Sequence, residues 1–400
     1  MLTDALEFIA KKNGNVVLYD TDGNPSVYVP FKKCLSSDLD ASLPGHTHPA
    51  FIINNEEVDQ VLIGKYMGCK IAGSNAQFSI PGHAPRVSAS YDAMLTEMRA
   101  FGPKASGLTI ADHGLILLTA KKMGWQPKGN NNYGTDYRDG TRYELDKPVV
   151  AGNKRVHKGW EYTCLKDHTT SLDHLPENDR AYWEKGEHVG GVPVDSQVTS
   201  TDINGLNTLT GSGPLSWCLG GDPANLVDIQ GNASEQVYGY RTVDGEIQIL
   251  PNNDAASPAA DLSASSSLWK AIKPGATEAD YTLVTPGTAG TLHWNWLNSK
   301  VTLDTVSIQD SESRGTAFTG LAVNSTNVPV IPCILRELGL FPCTGDNVTQ
   351  GTFYVNLSGE RVARRGGYYS YASYAGLGFL YGGYTRSYAS AYYGSRPRSL

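Results

Sequence analysis

Hydrophobic and polar residues alternate in short runs along most of the chain, which predicts many short strands rather than long helices. The first two runs, residues 15–19 and 26–29, are rich in Val and Tyr and flank a turn-forming DTDGNP segment, so a β-hairpin is expected. A hairpin of this size cannot bury a core by itself. We therefore predict a small N-terminal β module over residues 1–44, used for attachment or oligomerisation, and a main domain over residues 45–400.

Helical periodicity occurs in a few segments. Residues 92–102 repeat apolar side chains at helical spacing. A second helix is clearer, because Thr109 and Asp112 form a capping box ahead of an apolar run and Gly124 suits the C-terminal cap. Residues 332–341 predict a third helix, ended by the proline that follows.

The remaining segments predict strands and long loops. The β-like runs lie at 51–66, 239–250, 281–301, 318–328 and 353–357. Two stretches are predicted to be insertions into the main domain: a polar, solvated one at about 139–198 and a second at about 255–330. The expected fold class is α+β, with much of the mass in loops.

Composition limits the classes of partner. The 400 residues are 40% hydrophobic and 18% charged, which is a globular balance. The formal charge of −7 comes without a basic stripe, so no nucleic-acid partner is expected. No apolar run approaches the roughly 20 residues that span a bilayer, so no membrane insertion is expected. The N-terminus lacks the pattern of a signal peptide, which predicts synthesis in the cytoplasm.

The cysteines, histidines and acids give weak signals for metal. The 6 cysteines are irregularly spaced and form no CxxC motif. His46 and His48 stand at i and i+2, but no third ligand is signposted, and a polar loop before Pro49 is the preferred interpretation. Asp228 and Glu235 flank a Gly-Asn turn, a spacing open to Ca²⁺ although a simple turn is the preferred interpretation.

The end of the chain is dominated by tyrosine. Nine of the 22 tyrosines lie between Tyr368 and Tyr393, interspersed with Ser, Gly and Ala, and no Asp, Glu, Lys or Cys follows Gly366. This composition is typical of antibody paratopes, in which tyrosine supplies amphipathic contact area at low entropy cost. A disordered, low-complexity tail is the alternative interpretation.

These features, in this order, resemble a known family. From about His48 onward the chain is similar to the formylglycine-generating-enzyme-like branch of the C-type lectin fold. More narrowly, it resembles the variable proteins of phage diversity-generating retroelements, a resemblance that covers nearly the whole chain. The matching pieces are residues 64–66, the 109–124 helix, the loops 129–134, 208–217 and 226–235, Arg365-Gly366-Gly367 and the closing Gly394-x-Arg396.

The resemblance implies a variable region at 365–396. In such retroelements, mutagenesis of the adenines of AAC (Asn) codons reaches Tyr, Ser and Gly, and this chain has those residues where the family pattern has Asn. Ala375, Leu377 and Phe379 are expected to face the core instead. The implied ligand-binding residues are Tyr369, Ser370, Tyr371, Ser373, Tyr374, Tyr381, Gly383, Tyr384, Tyr388, Ser390 and Tyr392.

The resemblance also implies a structural calcium ion. Enzymes of this fold bind Ca²⁺ in a loop that matches residues 226–235. The implied ligands are the side chains of Asp228 and Glu235 and the carbonyls of Gly231 and Ala233, although Ser234 stands where those enzymes have Trp. No catalytic residue or catalytic cofactor is expected, because the enzymes use a cysteine pair in the terminal stretch and this chain has no cysteine after Cys343.

The function implied by the resemblance is that of a non-enzymatic, hypervariable receptor-binding protein (adhesin) of a phage tail. Such a protein is located in the virion, binds a protein or glycan receptor on the host-cell surface, and contacts other tail proteins as a homotrimer. Two alternatives remain open at this point. One is a formylglycine-generating or sulfatase-modifying oxidoreductase that uses Cys333 and Cys343; the other is a structural virion protein whose tyrosine-rich end packs inside the particle.

Overall fold

The computed structural model describes residues 2–347 and 349–400. It is 16% helix and 29% strand, which confirms the α+β class. Within the described residues, no helix has the length and apolarity needed to cross a membrane. The α-helices are α1 (Leu2–Lys12), α2 (Ser36–Leu39), α3 (Tyr91–Arg99), α4 (Ile110–Lys122) and α5 (Cys333–Glu337).

The strands are short, as the alternating pattern predicts. In the first half they are β1 (Val16–Tyr19), β2 (Pro25–Lys32), β3 (Ile52–Ile53), β4 (Glu56–Glu57), β5 (Gln60–Gly64), β6 (Ala105–Gly107), β7 (Pro148–Val149), β8 (Lys154–His157), β9 (Trp160–Cys164), β10 (His168–Thr169) and β11 (Trp183–His188). In the second half they are β12 (Ser234–Val243), β13 (Glu246–Ile249), β14 (Lys270–Lys273), β15 (Thr282–Val284), β16 (His293–Leu297), β17 (Lys300–Asp304), β18 (Arg314–Ala317), β19 (Ala322–Val323), β20 (Thr352–Val355), β21 (Glu360–Gly366), β22 (Gly376–Gly382), β23 (Tyr393–Gly394) and β24 (Pro397–Ser399).

Short 3-10 helices join several of these elements. One of them immediately precedes β3, and another lies inside the tyrosine-rich segment. They are Pro49–Phe51, Leu172–His174, Asp195–Gln197, Leu215–Trp217, Leu219–Gly221, Asp254–Ala256, Phe318–Gly320 and Ala372–Tyr374.

Helix α4 lies at the centre of the main hydrophobic core. The predicted capping box is confirmed, since Thr109 Oγ1 accepts a hydrogen bond from the Asp112 amide at 3.0 Å and the Asp112 carboxylate accepts one from the Thr109 amide at 3.1 Å. The helix is buried nearly all round and packs against α2, α5, β12 and the 3-10 helix at 49–51. The predicted helix α5 ends at Glu337, earlier than expected, because Gly339 takes a left-handed backbone conformation.

The predicted N-terminal hairpin is confirmed as β1 and β2. It forms the edge of a five-stranded sheet in the order β1-β2-β5-β24-β6, so residues 1–44 share a sheet with the C-terminal strand and do not pack as a unit apart. The reason is that the hairpin has a buried apolar face, Val27 to Val29, which needs β5 beside it. A role of this segment in attachment or oligomerisation stays a prediction.

A 12-stranded mixed sheet carries the rest of the core. Its central path is β18-β20-β22-β21-β12-β13-β16-β17-β19, with β14, β15 and β23 attached to the side. Strands β14 to β19 come from residues 255–330, so this stretch extends the sheet instead of forming a separate insertion. Its alternating apolar residues, such as Trp294, Val301 and Leu303, are fully buried in the main core.

The polar stretch at 139–198 folds around a small core of its own. It contains β8, β9 and β11 in one sheet and β7 and β10 in another. Tyr143, Tyr162 and Trp183 are buried there together. The sequence predicts a solvated surface insertion, and the difference arises because the aromatic residues are widely spaced and meet only after the strands pair.

Removal of the α4 cap tests this account of the core. Thr109→Ala should lower the free energy of unfolding by about 1–2 kcal/mol, because it removes the hydroxyl that caps α4 and that also donates to Asn253 Oδ1 at 2.6 Å. Thr109→Ser is the matched control and should retain most of the stability. Urea unfolding of both variants measures the difference, and an equal loss in both would show that the methyl group rather than the cap matters.

Candidate ligand-binding surface

The tyrosine-rich segment leaves the large sheet at the end of β21 through two glycines. Gly366 and Gly367 have φ values of 86° and 83°, a region that favours glycine. A Cβ atom on Gly366 would lie 2.9 Å from the Ile229 carbonyl oxygen, and one on Gly367 would lie 2.6 Å from the Cβ of Ala375. The Arg-Gly-Gly motif is therefore required by the turn that starts this segment and by its close packing on the 226–235 loop.

Tyrosine rings from this segment and from β20 contact one another in an unbroken series. Tyr384 stacks on Tyr388 with ring centroids 4.0 Å apart, and Tyr368 stacks on Tyr392 at 4.5 Å. Phe379 connects the group of rings around Tyr368 with the group around Tyr384. Its ring contacts Tyr371 at 5.1 Å and also contacts Tyr354 of β20, which in turn contacts Tyr381. We call this surface the tyrosine face; its members are Tyr354, Tyr368, Tyr371, Tyr381, Tyr384, Tyr388 and Tyr392.

Most of the predicted ligand-binding residues are accessible on or beside the tyrosine face. Tyr374, Tyr388 and Tyr392 are the most exposed tyrosines there, with 55%, 36% and 38% of their surface accessible. Ser373 is also exposed. The residues of intermediate exposure are Ser370, Tyr371, Tyr381, Gly383, Tyr384 and Ser390.

Tyr369 is buried, contrary to its prediction as a ligand-binding residue. Its ring packs against Tyr133 at 5.6 Å, and its main chain is bonded on both sides, to Asn232 and to Tyr133. It therefore supports the tyrosine face from below, as Tyr393 does.

The apolar residues between the variable positions are buried, as predicted. Ala375, Leu377 and Phe379 lie in the core side of the segment, with at most 2% of their surface exposed. The carbonyl of Leu377 accepts a hydrogen bond from His113 Nε2 of α4 at 3.0 Å. The segment is thus held to the central helix through its main chain and small apolar side chains, while its tyrosines face outward.

Two buried arginines hold the start of the segment. Arg364 lies beneath the tyrosine face, 4.1 Å from the ring centroid of Tyr393. The neighbouring Arg365 points to the other side of β21 and donates from Nη2 to the carbonyl of Gly339 at 2.6 Å. Burial lowers the pKa of Arg365 to about 9, so it remains charged at neutral pH.

Arg386 holds the middle of the segment. Its guanidinium contacts Glu360 at 3.0 Å and Asp92 of α3 at 2.6 Å, and it lies 5.0 Å from the ring centroid of Tyr91. Its carbonyl also accepts a hydrogen bond from the Tyr91 amide. Arg386, which lies among the predicted variable positions, is therefore bonded to a separate helix.

Two further arginines hold the end of the segment. Arg398, on β24, is fully buried and pairs with Asp112 of α4 at 3.2 Å. Arg396 is also fully buried and contacts Glu235 at 2.6 Å from Nη2 and 3.0 Å from Nε. The same guanidinium donates to four main-chain carbonyls, those of Gly64, Lys65, Val227 and Asp228.

The ligands implied for calcium do not fit the ion. Both carboxylate oxygens of Glu235 are bonded to Arg396, and a calcium ion on the same carboxylate would meet a positive charge within about 3 Å of its ligand atoms. The carboxylate of Asp228 instead accepts a hydrogen bond from the Gly211 amide, and burial raises its pKa to about 6. The guanidinium of Arg396 thus binds Glu235, the acid that the resemblance assigns to calcium. Gly231 and Ala233 form part of the turn.

A polar cavity missed by the sequence analysis adjoins this surface. It has a volume of about 310 Å³, and Tyr133, Arg142, Lys147 and Asp202 are among its lining residues. The guanidinium of Arg142 lies 4.3 Å from the ring centroid of Tyr133, which in turn contacts Tyr369. The Asn-rich loop at 129–134 was the available signal, but its position beside the tyrosines depends on tertiary packing.

Comparison with known proteins adds no family assignment. No protein-family model matches the chain, and no curated protein matches it.

Loss of the buried ion pair should be far more costly than loss of a surface pair. Arg396→Met should lower the free energy of unfolding by about 3–5 kcal/mol, because it leaves Glu235 charged, buried and unpaired. Arg314→Met is the control, since Arg314 pairs with Asp310 at the surface and its loss should cost at most about 1 kcal/mol. Equal midpoints for the two variants in urea would contradict this account.

The calcium geometry gives a second prediction. The melting temperature of the desalted protein should be the same with and without excess Ca²⁺, because an ion that does not bind the folded state cannot stabilise it. Differential scanning fluorimetry of the purified protein measures this. A higher melting temperature in Ca²⁺ that disappears in Glu235→Gln would show that the ion displaces Arg396.

Proposed function

We propose that this chain is a non-enzymatic adhesin, the receptor-binding protein of a phage tail, which binds a host-cell surface ligand through the tyrosine face. In this proposal the fold is a C-type lectin fold of the formylglycine-generating-enzyme-like type, and the variable region at 365–396 is diversified by a retroelement. The protein is then a component of the virion and acts at the outer surface of the host.

The observation that carries the proposal is the division of residues in the terminal segment by burial. Positions that match the family's Asn codons are exposed or half-buried, whereas residues 375–380 between them and the arginines at both ends are buried. A surface that must accept many different side chains cannot use them for core packing. Tyr369, which is buried against Tyr133, is the exception among the implied ligand-binding residues.

The chemistry of the tyrosine face suits a protein or glycan ligand. Tyrosine rings supply apolar contact area and hydroxyl groups that donate and accept hydrogen bonds. The terminal segment contributes no carboxylate or lysine to this face, because none occurs after Gly366. Recognition would therefore depend on aromatic burial and hydroxyl hydrogen bonds, with the polar cavity beside Tyr133 as an additional contact.

The N-terminal helix α1 exposes an apolar surface that suits contact with another protein. Phe8 and Ile9 of α1 are 72% and 56% exposed, and α1 borders an apolar cavity of about 420 Å³ that Leu6, Ile71 and Ile80 also line. Large exposed apolar side chains beside a cavity are typical of interaction sites. We propose that this region contacts other tail proteins or the other subunits of a homotrimer, in which several weak sites would act together.

The oxidoreductase alternative has less support. Cys333 and Cys343 are both buried, and burial raises the pKa of each thiol to about 12. Such thiols are poor nucleophiles at neutral pH. Both also precede the terminal segment, where the enzymes of the resembled family have their cysteine pair.

Substitution of the most exposed tyrosines tests the proposal. The triple variant Tyr374→Ala, Tyr388→Ala, Tyr392→Ala should bind host cells at least about tenfold more weakly, because it removes exposed aromatic contact area. The melting temperature should change little, since these side chains are not in the core. Adsorption of the purified protein to cells that the phage infects, together with a thermal melt, measures both quantities.

A double variant elsewhere on the surface is the control. Leu215→Ala with Leu268→Ala removes exposed apolar side chains outside the tyrosine face and should leave adsorption unchanged. If the triple tyrosine variant unfolds, the face has a structural role inside the particle. If it folds and adsorbs normally, the tyrosine face is not the receptor-binding surface.

A further inference from the structure

A fully buried carboxylate lies at the end of α5 with one oxygen unpaired. Oε1 of Glu337 accepts a hydrogen bond from Ser36 Oγ at 2.5 Å and contacts His46 Nε2 at 2.6 Å. Among the described residues, Oε2 has no hydrogen-bond partner, and the side chain has no exposed surface. A buried carboxylate is costly unless a cation and further hydrogen bonds satisfy both oxygens.

Two other metal-ligand types converge on this carboxylate. Cys333 and Glu337 are the first and last residues of α5, and their i, i+4 spacing puts both side chains on one face of the helix. His46 comes from the loop before the 3-10 helix at 49–51. The ligand atoms of the three residues all lie within 4.8 Å of one another.

His48 has a different role from that of His46. Its Nδ1 accepts a hydrogen bond from the Ala50 amide at 3.2 Å, so Nε2 carries the proton. This Nε2 donates to the main-chain carbonyl of Glu337 at 3.1 Å. His48 therefore cannot bind an ion through either nitrogen; it is a positioning residue that fixes the end of α5.

We propose that His46 Nε2, Cys333 Sγ and a carboxylate oxygen of Glu337 bind one Zn²⁺ ion. Zinc accepts nitrogen, sulfur and oxygen ligands in a tetrahedral arrangement, and the thiolate disfavours Ca²⁺ and Mg²⁺. The fourth position opens toward solvent beside His46, whose side chain is 45% exposed. The spacing of residues in the sequence could not reveal this site, because Cys333 and Glu337 are nearly 300 residues from His46 in the chain.

Binding requires only a local adjustment. The ion takes the place of the Nε2 proton of the His46 imidazolium, which is released to solvent while Nδ1 keeps its proton. With zinc–ligand bonds of about 2.0 Å, His46 Nε2 and the Glu337 oxygen would separate to about 3.3 Å. The exposed ring of His46 can make this movement. The thiol of Cys333 releases its proton to solvent as the metal–sulfur bond forms.

The site would connect distant parts of the fold. It joins the 33–51 segment to α5. Just after α5, the Gly339 carbonyl accepts a hydrogen bond from Arg365, which lies beneath the terminal segment. We therefore assign the ion a structural role, in which it stabilises the support of the tyrosine face without taking part in ligand binding.

Metal content and zinc titration test the site. The protein expressed in zinc-supplemented medium should retain one Zn²⁺ per chain after desalting, and chelation should lower its melting temperature. His46→Gln and Cys333→Ser should each weaken zinc binding at least about tenfold in competition with a chelator dye. Loading with Co²⁺ should give a thiolate-to-cobalt charge-transfer absorption that Cys333→Ser abolishes.

Matched controls separate this site from general effects of the substitutions. Cys343→Ser alters another buried cysteine, and His83→Gln alters an exposed histidine, and both should keep wild-type zinc affinity. His46→Gln changes a partly exposed side chain, so it reports on binding even if Cys333→Ser fails to fold. Zinc binding that is absent in the wild type, or that is retained by folded His46→Gln, would overturn the proposal.

Discussion

The buried ion pair between Arg396 and Glu235 determines where the terminal segment returns to the core. The guanidinium of Arg396 also donates hydrogen bonds to main-chain carbonyls of β5 and of the 226–235 loop. Because a buried charge without its partner costs several kcal/mol, this position has few alternatives. The strand that follows, β24, then takes a central place between β5 and β6.

The tyrosine face depends on that constraint. Arg364 and Arg365 hold the segment where it starts, Arg386 holds its middle, and Arg396 and Arg398 hold its end. Between these points the tyrosines contact mainly one another, as the stacked pair Tyr384 and Tyr388 shows. Replacing a side chain that packs on its neighbours at a surface costs little, whereas replacement of Arg396 or Arg398 leaves a buried acid unpaired. Replacement of Arg365 removes a buried hydrogen bond to the Gly339 carbonyl. A variable surface on a fixed frame follows from this distribution of costs.

Local features were predictable from the sequence, and non-local ones were not. The α4 capping box and the hairpin depend on neighbouring residues, and both are present. Helices α1 and α2 were not predicted. The resemblance indicated most of the exposed positions, but it could not show that Glu235, an implied calcium ligand, pairs with an arginine 161 residues away. The same limitation concealed the approach of His46 to Glu337.

The central claim is that the tyrosine face can vary while the arginines cannot. Two displayed libraries test it directly, and resistance to protease measures the folded fraction of each. One randomises Tyr371, Tyr374, Tyr381, Tyr384, Tyr388 and Tyr392; the other randomises Arg364, Arg365, Arg386, Arg396 and Arg398. The account predicts that most members of the first library are folded and that few of the second are. Similar folded fractions in the two libraries would contradict it.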